Sequence, residues 1–276
     1  MALSYRGRLA PSPTGFLHLG HARTFWTAQG RCVNAGGTLV LRNEDLDRSR
    51  SRAEFVAAML EDLRWFGFQW QEGPDCGGAF GPYSQSERGA FYRAGFEALR
   101  SRGLVYPCYC SRQDVLRALN APHAGDDEPL YPGTCRGSSE RTGARPQSWR
   151  FRVRDGDAVE FEDGGFGRQR FVAGRDFGDF VVWRLGDIPS YQLAVVLDDG
   201  AMKITEVVRG ADLLLSTARQ LLLYRALGLE PPAFYHYPLM TNEAGERLAK
   251  RDDAASLRTL RKQGMTPEEI RARWFR

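Results

Sequence analysis

Apolar residues recur at helical spacing in two N-terminal stretches of the chain. Between residues 51 and 66, Met59 and Leu63 fall on one face of a helix together with flanking aromatic residues, and residues 86–99 repeat the pattern. A short apolar run at residues 38–42 suits a buried strand. Strand followed by helix, several times over, predicts an α/β fold with a doubly wound parallel sheet.

The pattern changes between residues 105 and 179. Glycine, arginine and short β-like runs replace the helical periodicity there. Strands are predicted at 148–153, 158–161 and 170–172. We interpret this stretch as a smaller subdomain inserted into the first one.

The last hundred residues return to the first pattern. Strands predicted at 180–183 and 203–208 are expected to rejoin the main sheet, and residues 211–227 read as an amphipathic helix that ends at Gly228. Pro267 fits the first turn of a final short helix. The predicted organisation is therefore a split main domain (1–104 and 180–250), an inserted subdomain (105–179) and a short basic helical segment (251–276).

Composition is that of an ordinary globular protein, with 42% hydrophobic and 26% charged residues in 276. No apolar run approaches the roughly 20 residues of a membrane span, and the first residues lack an apolar signal core. We therefore expect a cytoplasmic protein without membrane contact. Five cysteines, an odd number, favour reduced thiols or metal ligation over a disulfide framework.

Charge is unevenly distributed. The net charge is +4, but residues 247–276 hold nine basic and four acidic side chains, so the excess lies in this C-terminal segment. Such a segment fits contact with a polyanion such as RNA. A solvated helix face explains it equally well on charge alone.

The N-terminal run R-x-A-P-S-P-T-G-x-L-H-x-G-H, residues 8–21, carries the first candidate chemistry. A strand-like entry passes through a Pro/Gly-rich turn into a helix start flanked by His18 and His21. Backbone N–H groups at a helix N-terminus, with imidazoles beside them, suit a nucleotide phosphate. Gly20 removes a side chain where a flat base or ribose could lie against the backbone.

This run closely resembles the signature of class I aminoacyl-tRNA synthetases of the glutamyl type. The resemblance implies a Rossmann-like catalytic domain in which His18, Gly20 and His21 bind ATP, with Mg²⁺ accompanying the nucleotide. The residues 242–251 resemble the second, lysine-rich signature of the class. Lys250 keeps its second lysine and is expected to neutralise phosphate charge as pyrophosphate leaves.

The second signature is altered at three positions. Arg247 stands where the family has its first lysine, and Ala249 and Arg251 stand where it has serines. We therefore expect Lys250 to be the catalytic residue of this second signature, and His18 and His21 to be the catalytic residues of the N-terminal signature.

The resemblance also implies an amino-acid site. Glu44 lies in an L-R-x-E-D-x-D block (41–47) and is expected to hold the α-ammonium group of the substrate. Arg209, between a predicted strand and helix, suits the side-chain carboxylate of glutamate, and Arg8 is the other candidate for a carboxylate. Val195 replaces an asparagine that is common in the family. The full predicted glutamate-binding set is Arg8, Ala10, Ser12, Glu44, Tyr191 and Arg209.

Three cysteines in the inserted stretch suggest a structural zinc site. Cys108 and Cys110 form a C-x-C pair, and Cys135 follows about 25 residues later. Three buried free thiols are the alternative. Chemistry alone leaves the fourth ligand open, because His123, Asp126 or Asp127 would be more conventional than a phenol. The C-x-C…Y-x-x-x-C pattern resembles a truncated glutamyl subfamily in which tyrosine ligates, which implies Tyr131, with His123 as the runner-up.

The resemblance runs from Arg8 to Arg251, and only 25 residues follow. We therefore expect no anticodon-binding domain. The pattern is similar to that of the glutamyl-queuosine tRNA(Asp) synthetases. This implies ATP-dependent activation of L-glutamate without tRNA, then transfer to queuosine in the anticodon loop of tRNA(Asp), by a monomer with one structural Zn²⁺.

Two other functions remain open at this point. One is a minimal glutamyl-tRNA synthetase that charges a tRNA 3′ end, and the other is a non-catalytic RNA-binding or regulatory relic. For transfer to queuosine, in which the anticodon loop docks at the active site, residues such as Arg258, Arg261 and Lys262 are expected to contact phosphates and to make affinity sensitive to salt.

Overall fold

The computed structural model describes residues 4–118, 130–139, 146, 148–239, 256–272 and 274, except for the side chains of 116–118. The chain divides into two units. Unit 1 comprises Met1–Arg88, Ala201–Leu213 and Pro232–Arg276, and unit 2 comprises Gly89–Gly200 and Leu214–Pro231. The predicted domain boundaries cut the chain at other places, and they stay a prediction.

The helices and strands follow one another in an α/β order. In chain order they are β1 (Arg6–Leu9), α1 (Leu19–Asn34), β2 (Thr38–Leu41), α2 (Ala53–Phe66), α3 (Gly89–Ser101), β3 (Val105–Cys108), α4 (Arg112–Ala118), β4 (Ser148–Phe151), β5 (Ala158–Asp163), β6 (Gly167–Val172), β7 (Phe180–Arg184), β8 (Ile188–Pro189), α5 (Tyr191–Ala201), β9 (Glu206–Gly210), α6 (Leu214–Leu227), β10 (Ala233–Tyr237), α7 (Leu257–Lys262) and α8 (Pro267–Ala272). Short 3-10 turns occupy Gln85–Glu87 and Ala211–Leu213.

The strands of unit 1 run parallel. In β1 and β2, Arg6 lies opposite Thr38 and Leu9 lies opposite Leu41. The other edge of β1 meets the start of β9, because the Arg6 N–H donates to Thr205 Oγ1 at 2.8 Å and the Thr205 N–H donates to the Arg6 carbonyl at 2.9 Å. Strand β9 pairs in parallel with β10. Parallel pairs need long crossover connections, so this unit has the predicted α/β character.

The core of unit 1 forms where helices pack on these strands. Helix α2 was predicted over 51–66 and spans Ala53–Phe66, ending at Gly67 with φ 97°. Its Met59, Leu63 and Phe66 are buried as the helical spacing predicts. Side chains from α1, α7 and α8 join them, including Phe25, Leu257 and Ile270, as does Trp274 just beyond α8.

Unit 2 is built on antiparallel strands. Strands β3, β4, β7 and β8 form one sheet in that order, and β5 pairs with β6 as a hairpin. The expectation that residues 180–183 rejoin the parallel sheet is wrong, because β7 pairs antiparallel with β4 and β8. A short apolar run specifies burial but not the direction or partner of a strand. The fold is therefore α/β with mixed sheets rather than one doubly wound parallel sheet.

The helix predicted over 211–227 begins with a 3-10 turn and continues as α6, ending before Gly228 at φ 67°. It is more buried than an amphipathic surface helix. Its polar face packs inside unit 2, where Gln220 Nε2 donates to Gln192 Oε1 at 2.9 Å and Gln192 Nε2 donates to Ser216 Oγ at 3.0 Å. These bonds satisfy the buried amides.

Helix α1 has 16 residues, and among the described residues no helix is both long and apolar enough to cross a membrane.

Candidate functional site

The first signature run forms the loop between β1 and α1. His18 adopts an extended conformation at the helix N-cap, and α1 starts at Leu19. The His18 N–H donates to His21 Nδ1 at 3.4 Å, and the two imidazole rings lie 6.2 Å apart. Both rings therefore stand at the N-terminus of a 16-residue helix, whose first turn holds no acidic side chain. This is an electropositive place that suits a phosphate.

Gly20 lies beside open space. A Cβ atom placed there would have no neighbour within 4 Å, and the same is true of Gly15. The packing of unit 1 itself therefore does not require glycine at these positions. Close approach of a ligand to the backbone is a reason for glycine that fits this geometry.

Glu44 lies next to the signature loop. Its backbone N–H donates to the Pro11 carbonyl at 3.0 Å, and the Arg42 N–H donates to the Leu9 carbonyl at 2.8 Å. These bonds hold the chain after β2 against the chain after β1. The expectation that the signature loop and Glu44 share one cleft is therefore consistent with the geometry, since carboxyl ends of parallel strands meet at one sheet edge.

The Glu44 carboxylate is held by a buried arginine. Arg42 Nη2 donates to Glu44 Oε1 at 2.9 Å and its Nε donates to the same oxygen at 3.3 Å. The Arg42 side chain is fully buried and that of Glu44 is 7% exposed. The pairing fixes the carboxylate as an anion in a desolvated place. Sequence reasoning did not single out Arg42, although it belongs to the same motif.

Arg8 and Arg209 are also buried in unit 1. Arg8 Nη1 donates to the Val208 carbonyl at 3.2 Å, so it reaches the residue next to Arg209. Arg209 Nε donates to Nε2 of His236 on β10 at 3.1 Å. His236 was not recognised from the sequence, where it lies unmarked in the aromatic run of β10. Arg8 and Arg209 are thus two further buried cations at the strand edge that carries the Arg42–Glu44 pair.

The other predicted glutamate ligands occupy different positions. Ala10 and Ser12 lie in the signature loop, and Ser12 is exposed. Tyr191 is the first residue of α5 in unit 2 and is half-buried, and Val195 of the same helix is buried.

The second signature, with Arg247, Ala249, Lys250 and Arg251, lies outside the described residues. The chain is described again from Ser256, which forms an antiparallel bridge with His18. The Ser256 hydroxyl caps α7 by accepting from the Thr259 N–H at 3.2 Å.

Two residues of α7 that are predicted to contact RNA phosphates form ion pairs within unit 1. Arg258 forms an ion pair with Glu61 of α2 and lies 3.6 Å from Asp62, and Arg261 Nη1 lies 3.3 Å from Glu61 Oε1. The third candidate, Lys262, is exposed. Contact of these residues with RNA phosphate stays a prediction, and for the two arginines it would compete with the α2 pairs.

Unit 2 contains a cluster of three thiols around a phenol. The Sγ atoms of Cys108, Cys110 and Cys135 lie within 4.8 Å of one another, with 3.6 Å between Cys110 and Cys135. Tyr131 Oη lies 3.3 Å from Cys108 Sγ and 3.6 Å from Cys110 Sγ. The alternative fourth ligands His123, Asp126 and Asp127 lie outside the described residues.

These four side chains fit zinc. Tetrahedral zinc at about 2.3 Å from sulfur and about 2.0 Å from oxygen separates its ligand atoms by about 3.5–3.8 Å, which is close to the observed spacing. Burial raises the pKa of Cys110 to about 11. Burial acts on Cys135 in the same direction, but hydrogen bonds from the Tyr109 backbone, Tyr131 and the neighbouring thiols outweigh it and lower the Cys135 pKa to about 7. A thiolate, the form that ligates metals, is thus accessible in the cluster.

Arg150 of β4 contacts two members of the thiol cluster, Cys108 and Tyr131. Its Nε donates to Cys108 Sγ at 3.4 Å, its Cζ lies 3.9 Å from the centre of the Tyr131 ring, and its Nη1 donates to the Asp179 carbonyl at 2.9 Å. A guanidinium in this position stabilises negative charge on sulfur and on the phenol.

Comparison with known proteins gives consistent matches over almost the whole chain. The family model "tRNA synthetases class I (E and Q), catalytic domain" matches residues 4–276. Proteins named "Glutamyl-Q tRNA(Asp) synthetase" from Nitratidesulfovibrio vulgaris and Symbiobacterium thermophilum are 47% and 48% identical over 272 residues, covering 96% of this chain and 83% of each of them.

A solved structure shares the fold. The glutamate tRNA ligase of Elizabethkingia meningosepticum, crystallised in complex with its amino acid, superposes with a TM-score of 0.79 at 30% sequence identity. The match covers 91% of this chain and 52% of that ligase, so the chain spans about half the length of this relative.

Proposed function

The chain belongs to the catalytic-domain family of the class I glutamyl and glutaminyl tRNA synthetases, and we propose that it activates L-glutamate with ATP and transfers the glutamyl group to queuosine in the anticodon loop of tRNA(Asp). Two relatives named glutamyl-Q tRNA(Asp) synthetase, which are 47% and 48% identical in sequence to this chain, support this acceptor.

The observation that carries the proposal is the charge pattern at one strand edge of unit 1. Glutamate presents two carboxylates and one ammonium group. The edge presents the buried Arg42–Glu44 ion pair, whose carboxylate suits the ammonium group, and two further buried cations, Arg8 and Arg209, which suit the two carboxylates. Glutamine has an uncharged side chain and would leave a buried guanidinium without an anionic ligand, which is costly. The pattern therefore favours glutamate.

In the proposed first step, an oxygen of the α-carboxylate attacks the α-phosphorus of ATP. A carboxylate–phosphorus bond forms, the bond from this phosphorus to the bridging oxygen breaks, and pyrophosphate leaves with its electron pair. The step needs positioning and charge neutralisation rather than a general base. His18, His21 and the N-terminus of α1 would hold the phosphates, and Mg²⁺ would accompany ATP.

Lys250 would supply further positive charge to the departing pyrophosphate. It lies outside the described residues but precedes Ser256 by only six positions in the sequence. Since Ser256 bridges His18, this short connection supports a role at the same nucleotide.

In the second step, a hydroxyl of the RNA would attack the acyl carbon of glutamyl-adenylate. The new ester bond forms as the bond to AMP breaks, and the hydroxyl proton is released. The queuosine base carries a cyclic diol that can present such a hydroxyl much as a terminal ribose does.

The zinc site belongs to the same proposal. Cys108, Cys110, Tyr131 and Cys135 would hold one Zn²⁺, which when bound cross-links β3 to the segment around residues 131–135. Their spacing and the accessible thiolate support zinc. The role of the ion would be structural.

Two assays test the function. The first is glutamate-dependent ATP–pyrophosphate exchange without tRNA, with glutamine as the comparison substrate. The second is transfer of labelled glutamate to queuosine-containing tRNA(Asp) from which the 3′-terminal adenosine has been removed, with unmodified tRNA(Asp) as the matched control.

We expect exchange with glutamate, and transfer to the trimmed, queuosine-containing tRNA only. Loss of charging on trimming, or efficient charging of unmodified tRNA(Glu), would instead establish a minimal glutamyl-tRNA synthetase. Absence of exchange both without and with tRNA would establish a non-catalytic relic.

A further inference from the structure

We propose that His236 is a positioning residue that orients the Arg209 guanidinium for the side-chain carboxylate of glutamate, and so helps to set the preference for glutamate over glutamine. The inference rests on the proposed function, because it assigns to Arg209 the role of carboxylate ligand.

The two side chains meet across a parallel strand pair. Arg209 on β9 and His236 on β10 are register partners, and Arg209 Nε donates to His236 Nε2 at 3.1 Å. His236 is fully buried and Arg209 is 5% exposed. Burial removes competing water, so this bond is electrostatically stronger than an equivalent bond at the surface.

The direction of the bond fixes the state of the imidazole. A nitrogen that accepts from a guanidinium must carry a lone pair, so His236 is neutral and its proton lies on Nδ1. A protonated imidazole would place two cations in contact in a buried environment, which desolvation opposes. His236 therefore acts as an acceptor toward Arg209, a role that no cationic side chain can replace.

The bond fixes the plane of the guanidinium. The guanidinium plane turns about the Cδ–Nε bond. An acceptor that holds the Nε N–H therefore restricts this rotation. Phe234 lies on the same face of β10, with its ring centre 5.3 Å from Arg209 Cζ and its ring stacked 6.4 Å from that of His236. Bidentate recognition of a carboxylate depends on the orientation of the guanidinium plane. Acceptor and ring together fix that plane before substrate arrives.

Loss of the acceptor should therefore weaken glutamate binding more than it slows the chemistry. His236 contacts Arg209 and not the reacting phosphorus, so the KM for glutamate should rise while kcat and the KM for ATP change little. Discrimination against glutamine should fall, because it depends on the positioned charge.

The experiment compares four variants by ATP–pyrophosphate exchange. His236→Phe keeps the ring and its stacking on Phe234 but removes the acceptor, and His236→Leu is a second variant without an acceptor. His236→Gln keeps an acceptor oxygen. Tyr235→Phe is the matched control, because Tyr235 directly precedes His236 in β10 and packs against Arg31 instead, with 4.2 Å from its ring centre to Arg31 Cζ. Circular dichroism and melting temperature verify that each variant folds.

We expect His236→Phe and His236→Leu to raise the KM for glutamate by about tenfold or more, and the Glu/Gln ratio of kcat/KM to fall with it. His236→Gln should stay within about threefold of wild type, and Tyr235→Phe should match wild type. In an Arg209→Ala background, His236→Phe should add no further loss, because its whole effect passes through Arg209.

An unchanged KM for glutamate in the variants without an acceptor would overturn the inference while leaving the proposed function intact. Equal losses in the Phe and Gln variants, or a full further loss on the Arg209→Ala background, would show a packing role instead. A wild-type protein without glutamate-dependent exchange would refute the proposed function itself.

Discussion

The backbone N–H of Leu257 donates a hydrogen bond to the carbonyl of Leu17 at 2.7 Å. Leu17 directly precedes the first signature histidine, and Leu257 opens the helix that follows the second signature. The bond, together with the bridge between His18 and Ser256, fixes the start of α7 beside the first signature.

Lys250→Ala should lower kcat of glutamate-dependent exchange by about a hundredfold or more, because the lost charge acts on departing pyrophosphate. The KM for glutamate should stay within about threefold. Lys262→Ala, an exposed lysine on α7, is the matched control and should exchange normally. A Lys250→Ala variant with wild-type kcat would mean that the altered second signature has no catalytic part.

Metal analysis of protein purified without added zinc should give about one zinc per chain. Replacing Cys108, Cys110 or Cys135 by serine should remove it, and Tyr131→Phe should weaken its retention against a chelator. Cys76→Ser, an exposed cysteine outside the cluster, should leave zinc content unchanged. Zinc retained by Tyr131→Phe but lost from His123→Ala would reassign the fourth ligand.

Arg150→Ala should lower zinc affinity by about tenfold, because the guanidinium stabilises the negative charge of Cys108 and Tyr131. A competition titration with a chromogenic chelator measures this without any assay of activity. Arg154→Ala, an exposed arginine three positions beyond the end of β4, serves as control. Equal affinity in both variants would show that Arg150 only packs against the Tyr131 ring.

Glu206→Gln should destabilise the protein at neutral pH and much less in acid. Burial raises the pKa of Glu206, but hydrogen bonds from Arg31, at 2.6 and 2.7 Å, and Tyr5, at 2.6 Å, outweigh it and lower the pKa below the ordinary value of a glutamate carboxyl. A lowered carboxyl pKa contributes stability above the unfolded-state value, and this stability is lost as pH falls through the folded-state pKa.

Urea unfolding at pH 7 should therefore show a loss of about 1–3 kcal/mol for Glu206→Gln, and the difference from wild type should shrink below about pH 4. The exposed Glu160, paired with Arg168 and Arg170 on the β5–β6 hairpin, provides the control. Glu160→Gln should change stability little at either pH. A pH-independent loss for Glu206→Gln would point to packing rather than charge.

Sequence periodicity predicted helices α2 and α3 closely. Residues 51–66 give α2 over Ala53–Phe66 because apolar spacing and the following Gly67 are local signals. The proximity of the signature loop to Glu44 was also predictable, since both follow parallel strands. The direction of β7 was not, because an apolar run of four or five residues carries no information about its partner strand.

The sequence predicted the site residues that a recognised motif singles out. It did not predict the residues whose part in the site depends on a contact with another side chain. Glu44 and Arg209 lie in motifs. Arg42 shares the motif of Glu44, but its pairing with Glu44, like that of His236 with Arg209, is visible only in the fold. Arg258 illustrates the same limit, because a basic residue near the C-terminus suggested RNA contact while its carboxylate partner lies on α2. The monomeric state and cytoplasmic location stay predictions.

The second edge of β1 cannot be paired until the ribosome has made most of the chain, because the residues around Thr205, 199 positions after Arg6, cover that edge. Until then, the second edge of β1 in the nascent protein has unpaired backbone N–H and C=O groups, which can pair with a strand of another chain. Loop closure over that separation is slow relative to local helix formation. Premature termination anywhere between β2 and β9 therefore leaves the same edge of β1 without its partner strand.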